Sequence, residues 1–550
     1  MFMKFSWTMP KQIFWVFSFS ALLLIAAQGH SQQPTASPWQ PRIHFSAPPD
    51  WINDPNGPIL LHGQYNLYFQ FNPSGDQWGH MSWGHAVSTD LVHWKQLPVA
   101  IPEGDGVMIF SGSTVEDRDN TSGLCGEAGH KTPDCVIAIY AGHTETKQTQ
   151  NLAVSRDGGQ TFTKFQGNPV IDAGLKDFRD PKVFWYPRTQ SWIMAVALPD
   201  QHKVRFYRSK NLRQWEQTGE FGPAGAVSGV WECPDLMELL VRVPAGKHDA
   251  MGKVDGSRWV LNVNLNPGGP QGGSADQYFV GQFDGMKFTE DHPGAGAHWV
   301  DWGKDFYAST SFSNTAAGQN RIWIAWMSNW NYASKLPALP GRGEMTVPRF
   351  VYLREPSGRS ASTSSQEPLQ LVQEPILSTP SFQPSQALFG ASPYQSIVQV
   401  NEQLAAKKVA GSAYLLRVTL DPGDAAEAGI RLRRNTLDPN RAATEETIVG
   451  IDHASGRVFV DRTHSGRTDW SPEFAARISA PLKYPQDNSV RLEIVVDHNS
   501  IEVFAENGET VLTNLVYPAA ESTGISFYST PTPPGVGPAL VRGVEFIPLN

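Results

Sequence analysis

Four times between residues 86 and 288 one local pattern returns: strand-forming residues, a polar turn, then an aromatic. Ala86-Val87-Ser88-Thr89-Asp90-Leu91-Val92-His93-Trp94 is the first copy, and Ala153-Val154-Ser155-Arg156-Asp157-Gly158-Gly159-Gln160-Thr161-Phe162 the second. Tyr207-Arg208-Ser209-Lys210-Asn211-Leu212-Arg213-Gln214-Trp215 is the third, and Phe283-Asp284-Gly285-Met286-Lys287-Phe288 a shorter fourth. Such a unit suits the outer hairpin of a propeller blade, where the aromatic packs between neighbouring sheets. A spacing of about 50 to 75 residues is irregular for a solenoid but tolerable for blades with long loops. With the strands around Trp323 and Trp326, the series predicts about five blades. Chance recurrence of ordinary hairpin turns is the alternative.

Helix signals are scarce. Short β-branched and aromatic runs bounded by Gly, Asp, Asn and Pro dominate, among them Tyr65–Phe71, Val136–Gly142, Val183–Ala197, Arg258–Asn264 and Ile322–Met327. The texture changes after Leu353, and the Ser-, Gly- and Thr-rich stretch from Pro356 to Pro368 reads as a linker or surface loop. Strands then return at Tyr414–Leu420, Gly429–Leu432, Arg457–Val460, Val490–Val496, Ile501–Phe504 and Gly524–Tyr528, with Glu506-Asn507-Gly508 as a turn. That spacing predicts a β-sandwich. The fold expected is all-β: a five-bladed β-propeller over 40–354, a linker over 355–380 and a β-sandwich over 381–550.

Residues 1–31 read as a secretory signal. Lys4 and Lys11 precede an apolar run from about Ile13 to Ala27, and small residues follow at Ala27, Gly29 and Ser31. The run is short for a membrane span, and a retained anchor is the alternative. A secreted or periplasmic protein with no membrane attachment after cleavage is expected. Cys125 and Cys135 flank a Gly/Pro-containing loop and would either form a disulfide in an oxidising compartment or remain two free thiols. Cys233 is then the odd one, read as a buried small residue. The net charge of −9 and the lack of a basic run argue against nucleic acid as a partner. A chain with 18 Trp has many faces that suit sugar rings, although most of them should serve packing.

Candidate chemistry rests on carboxylates beside prolines. In Trp51-Ile52-Asn53-Asp54-Pro55-Asn56-Gly57, Pro55 biases Asp54 toward an extended conformation, and Asn56-Gly57 predicts a sharp reversal. Phe178-Arg179-Asp180-Pro181 repeats the device. Trp231-Glu232-Cys233-Pro234-Asp235 sets a Glu between an aromatic and a small apolar residue, a setting that would favour the protonated form. Arg179, Asn53 and backbone donors are expected to keep Asp54 or Asp180 ionised. Glycosidic cleavage needs one carboxyl as proton donor and a second, ionised, at the oxocarbenium-like centre.

Together the three motifs resemble the signature set of glycoside hydrolase family 32, closest to its exo-inulinases and levanases. Supporting matches are Tyr68–Pro73, Trp78–His85, Phe110–Ser113, Asp301–Ala308 and Trp326–Trp330, with weaker ones at Val495–Asp497 and Ile501–Phe504. The resemblance implies retaining hydrolysis of terminal β-fructofuranosides. Asp54 would be the nucleophile, Glu232 the acid and then the base, and Asp180 the group that holds fructose hydroxyls. Asn53, Gln70, Trp78, Phe110, Ser111, Arg179 and Trp330 fall at substrate-contact positions. No cofactor and no metal is implied. The expected partners are fructans (inulin or levan) and sucrose, with the protein a monomer or homodimer. An invertase-type sucrose hydrolase, a fructosyltransferase and a non-catalytic fructan-binding propeller are the competing readings.

Overall fold

The computed structural model describes residues 37–549, except 128–133, 244–252, 317, 338–340, 356–367, 379–386, 390–393, 439–441, 484–487 and 532–536. The expected signal segment lies outside the described residues.

Three four-stranded antiparallel sheets follow one another in chain order. The first holds β1 (Trp51–Leu61), β2 (Gln64–Asn72), β3 (Ser82–Ser88) and β4 (Lys95–Ile101). The second holds β5 (Met108–Glu116), β6 (Val136–His143), β7 (Gln148–Ser155) and β8 (Thr163–Lys164). The third holds β9 (Arg179–Tyr186), β10 (Ser191–Leu198), β11 (Lys203–Ser209) and β12 (Glu216–Phe221). The stretch Val183–Ala197, read as one strand, is thus two strands joined by a turn.

A nine-stranded sheet comes next, with two antiparallel runs. One is β13 (Val230–Val243), β14 (Lys253–Asn266), β15 (Ala275–Phe283) and β16 (Phe288–Glu290), with β17 (His298–Trp299) paired to β15. The other is β18 (Tyr307–Ser311), β19 (Arg321–Trp326), β20 (Arg349–Arg354) and β21 (Gln370–Pro375), which joins the first through a parallel contact of Val241 with Leu353. Part of the segment read as a linker is therefore a strand on the edge of this sheet.

The four sequence echoes all fall between the third and fourth strands of a run. Ser88 Oγ accepts from the N–H of Leu91, and Asp90 Oδ1 from those of Val92 and His93. Ser155 with Asp157, and Ser209 with Asn211, cap their turns the same way. Short polar side chains supply the partners that a tight turn leaves its backbone without. The aromatics that follow (Trp94, Phe162, Trp215 and Phe288) then pack into four different apolar clusters.

Two further sheets share one apolar core. The seven-stranded sheet holds β22 (Ala387–Phe389), β23 (Gln395–Ser396), β24 (Tyr414–Asp421), β29 (Val490–Val496), β30 (Ser500–Ala505), β31 (Thr510–Leu515) and β33 (Leu540–Pro548). The five-stranded sheet holds β25 (Glu427–Arg434), β26 (Thr447–Asp452), β27 (Arg457–Asp461), β28 (Arg477–Pro481) and β32 (Gly524–Ser529). Strand alternation sets the faces. On β24, Leu416, Val418 and Leu420 point inward, while Arg417 reaches out to Glu493 and Glu545 at 2.8 and 3.2 Å. Among the described residues the one α-helix, α1 (Ile397–Ala406), starts on a capping box between Ser396 and Gln399, a signal that was present in the sequence.

These sheets are tied to the N-terminal part by buried charge. His44 Nδ1 lies 2.7 Å from Asp497 and its Nε2 2.8 Å from Glu502. Asp497 also accepts from the backbone N–H groups of Arg42 and Ile43. Arg349 bridges Glu502 and Asp301, and Arg462 meets Asp305 at 2.6 Å. Cys125 and Cys135 are disulfide-bonded, which decides the alternative left open by the sequence.

Candidate active site

In all five antiparallel runs the first strand carries an extra residue, and in the first four it does so where candidate residues stand. Ile52 to Pro55 on β1 oppose only Phe71 to Phe69 on β2. Ile109 to Gly112, Arg179 to Lys182, Glu232 to Asp235 and Tyr307 to Thr310 each likewise span three steps against two on the neighbouring strand. A bulge of this kind breaks the ladder and re-aims the side chains at it. Asp180, Cys233 and Ala308 take left-handed φ values of 65°, 45° and 55° there. Proline follows the bulged residue in three cases (Pro55, Pro181 and Pro234), where no ladder N–H is needed. Asn56-Gly57 does not reverse the chain as expected. Gly57 has φ of +43° but stays inside β1, where glycine allows close approach to Thr114, whose backbone a Cβ would meet at 2.7 Å.

Asp54 lies at the floor, 9% exposed. Its Oδ1 accepts from Asn53 Nδ2 at 3.0 Å and its Oδ2 from Ser111 Oγ at 2.7 Å. Trp51 Nε1 holds Asn53 in turn, at 2.8 Å. Asp180 accepts from the Cys233 N–H at 2.9 Å. Burial raises the pKa of both carboxyls, and that of Asp180 is pushed up to about 7. The donors around them oppose this shift.

Glu232 stands across from them, gripped on two sides. Arg179 donates to its Oε1 from Nε at 3.0 Å, and Tyr307 Oη donates to its Oε2 at 2.5 Å. Asp177 and Gln148 hold the far side of the guanidinium at 2.8 and 3.2 Å. Burial would lower the Arg179 pKa, but Glu232, Asp180 and Asp177 outweigh it, and the group stays a cation. Trp231 does not supply the apolar setting expected for Glu232. Alternation along β13 sends it the other way, fully buried against Phe279, with its Nε1 on the Ala226 carbonyl.

All ten candidate residues line one open-mouthed cavity of about 380 Å³: Asn53, Asp54, Gln70, Trp78, Phe110, Ser111, Arg179, Asp180, Glu232 and Trp330. Trp78 stands at its rim, 45% exposed. Trp330 packs on Trp51, and Gln70 donates to the Ile109 carbonyl at 2.9 Å. The sequence reading missed His143, Gln148 and Asp177, which also line the cavity, and the role of Tyr307. Tyr307 was visible only as part of a matching stretch, and the other three carried no signal. Cys233 was read as a buried small residue, but its thiol lies 3.6 Å from both Asp54 and Asp180. Among the described residues no group of three or more His, Cys, Asp or Glu could hold a metal ion.

Residues 44–375 match the model of the glycosyl hydrolases family 32 N-terminal domain, and 386–536 that of the family's C-terminal domain. The chain is 39% identical to a levanase of Bacillus subtilis (strain 168) over 500 residues, 89% of this chain and 68% of the levanase. It is 36% identical to an extracellular exo-inulinase of Aspergillus awamori, covering 90% of this chain and 92% of the relative. A crystal structure of exo-inulinase from A. awamori superposes with a TM-score of 0.79 at 33% identity, covering 93% of this chain and 98% of the other. A β-fructofuranosidase from Schwanniomyces occidentalis in complex with fructosyl-erythritol also gives 0.79, at 31% identity, covering 93% of this chain and 98% of the other. With both domain models matched in order along one chain, and the candidate carboxylates gathered in one hollow, this protein belongs to glycosyl hydrolase family 32.

Proposed function

We propose that this protein is a secreted, exo-acting β-fructofuranosidase that removes terminal fructose from fructans with retention of configuration. The observation that carries the reading is the pairing of Asp54 and Glu232 in one hollow. Asp54 is fixed by hydrogen bonds from Asn53 and Ser111, and Glu232 is held by Arg179 and Tyr307.

In the first step an Asp54 oxygen attacks the anomeric C2 while the C2–O bond to the leaving sugar breaks. Glu232 gives its proton to the departing oxygen, leaving a fructosyl ester on Asp54. In the second step water attacks C2, Glu232 takes the water proton, and the ester bond returns to Asp54 as a carboxylate. Asp180, fixed by the Cys233 N–H, holds fructose hydroxyls and grips them more tightly as C2 gains positive charge. Asn53, Gln70, Ser111, Arg179, Phe110, Trp78 and Trp330 line the rest of the hollow, where they meet the fructosyl unit and the sugar joined to it.

The exo preference follows from shape. Buried carboxylates close the floor and an exposed Trp78 marks the rim, so a chain enters end first. Sucrose ends in the same fructosyl unit and suits the same pocket. The levanase and exo-inulinase relatives support fructans as the main substrates. The word extracellular in the relatives' names, the Cys125–Cys135 disulfide and the apolar N-terminal run support export. The five bulged runs support a five-bladed propeller, and the two sheets with a shared core support a β-sandwich behind it.

The test is a side-by-side assay on inulin, levan and sucrose, with NMR of the first product formed. Free β-fructofuranose as the sole early product supports the reading. Longer oligosaccharides from sucrose would make the protein a transferase, and binding without release would make it a lectin-like propeller.

A further inference from the structure

The hollow contains a polar group that the chemistry above leaves unused. His143 ends β6, opposite Met108. Its ring lies flat on Phe110, with centroids 4.3 Å apart and planes within 2°. Neighbouring hydrogen bonds decide which of its nitrogens carries hydrogen. Gln148 Oε1 accepts from the Phe178 N–H at 2.8 Å and from Arg179 Nη1 at 3.2 Å. The carboxamide is thereby oriented, and Gln148 Nε2 meets His143 Nδ1 at 3.2 Å. An amide nitrogen only donates, so Nδ1 must accept, and the hydrogen of the neutral ring sits on Nε2. Burial and the nearby Arg179 charge lower the His143 pKa, against a smaller pull from Asp177, which favours this neutral form. Nε2 has no protein partner among the described residues, and the ring lines the cavity.

The flank of the hollow also matters. His143 connects through Gln148 to Arg179, and Arg179 grips Glu232. Glu232 is the group that must reach the departing oxygen, so this flank faces the leaving sugar. We infer that His143 Nε2–H donates to a hydroxyl of the sugar on the leaving-group side, making His143 a specificity residue that favours a glycosyl leaving group over a small alkoxide. The inference rests on the fructosidase reading above.

The experiment compares kcat/KM on a β-2,1-linked fructan trisaccharide with kcat/KM on methyl β-D-fructofuranoside. His143→Phe keeps the stack on Phe110 and removes the donor; His143→Gln restores a donor. In His143→Phe the trisaccharide-to-methyl ratio falls about tenfold, the scale of one hydrogen bond. His143→Gln regains part of that ratio, and it carries the test if His143→Phe fails to fold. A ratio within twofold of the parent, or an equal loss on both substrates, overturns the assignment of His143 alone. A parent protein that releases fructose from neither substrate overturns the fructosidase reading itself.

Discussion

Tyr307 Oη donates to Glu232 Oε2 across 2.5 Å, from a strand that begins 75 residues further along the chain. Burial, and then the charge of Glu232, raise the Tyr307 pKa well above the ordinary phenol value, so the hydroxyl keeps its proton and remains a donor. With Arg179 on the other oxygen, the carboxyl cannot swing away from the hollow. Tyr307→Phe should lower kcat by about tenfold, the scale of one hydrogen bond. Steady-state kinetics on sucrose, with circular dichroism to check folding, decide it; a kcat within twofold of the parent removes this role from Tyr307.

Asp54→Asn and Glu232→Gln should each cost about two to four orders of magnitude in kcat while the protein stays folded. Asn53 and Ser111 can still hydrogen-bond the amide at position 54. Near-parental turnover in either variant, measured by fructose release, contradicts the two-carboxylate chemistry.

Asp180 makes an opposite prediction for stability. Its folded-state pKa is raised from 3.8 to about 7, chiefly by burial. The folded protein therefore holds this proton more tightly than the unfolded chain, and stability falls as pH rises from about 4 to 7. Asp180→Asn removes the buried charge. It should lose activity yet melt about 1–4 °C above the parent at pH 8, with the gap closing at pH 4. Melting curves at both pH values test this, and equal melting temperatures at pH 8 would refute it.

His44 works in the other direction. Burial alone would lower its pKa, but hydrogen bonds and charge from Asp497 and Glu502 raise it from 6.5 to about 10. Its contribution is complete below pH 6.5 and is lost as pH climbs through 10. Parent and His44→Gln should differ in melting temperature by several degrees at pH 6 and converge by pH 10. The underlying free energy is about 3–5 kcal/mol, because losing the imidazolium leaves two buried carboxylates poorly compensated. A constant difference across that range would show that His44 does not act through its charge.

Much of this was legible in the residues, for local reasons. Ser88, Asp90 and Trp94 mark a capped turn followed by an anchor, and both effects act within a few residues. The motif carboxylates announced themselves because proline and glycine constrain the backbone beside them. What stayed hidden was direction and distance. Whether Trp231 or Glu232 faces the hollow depends on strand register around a bulge, which composition does not reveal. The reversal expected at Asn56-Gly57 failed for the same reason, since a glycine that serves close approach to Thr114 reads like one that serves a turn. Tyr307, Gln148 and His143 act through partners distant in sequence. Helix α1 had its capping signal and was passed over amid strands.

The five kinks separate two duties within each leading strand. Residues on either side of a kink remain in the ladder and hold the sheet together, whereas the inserted position makes no ladder bond and is free of that constraint. The side chain at such a position is thereby turned to the chemistry of the hollow while its neighbours keep the scaffold in register.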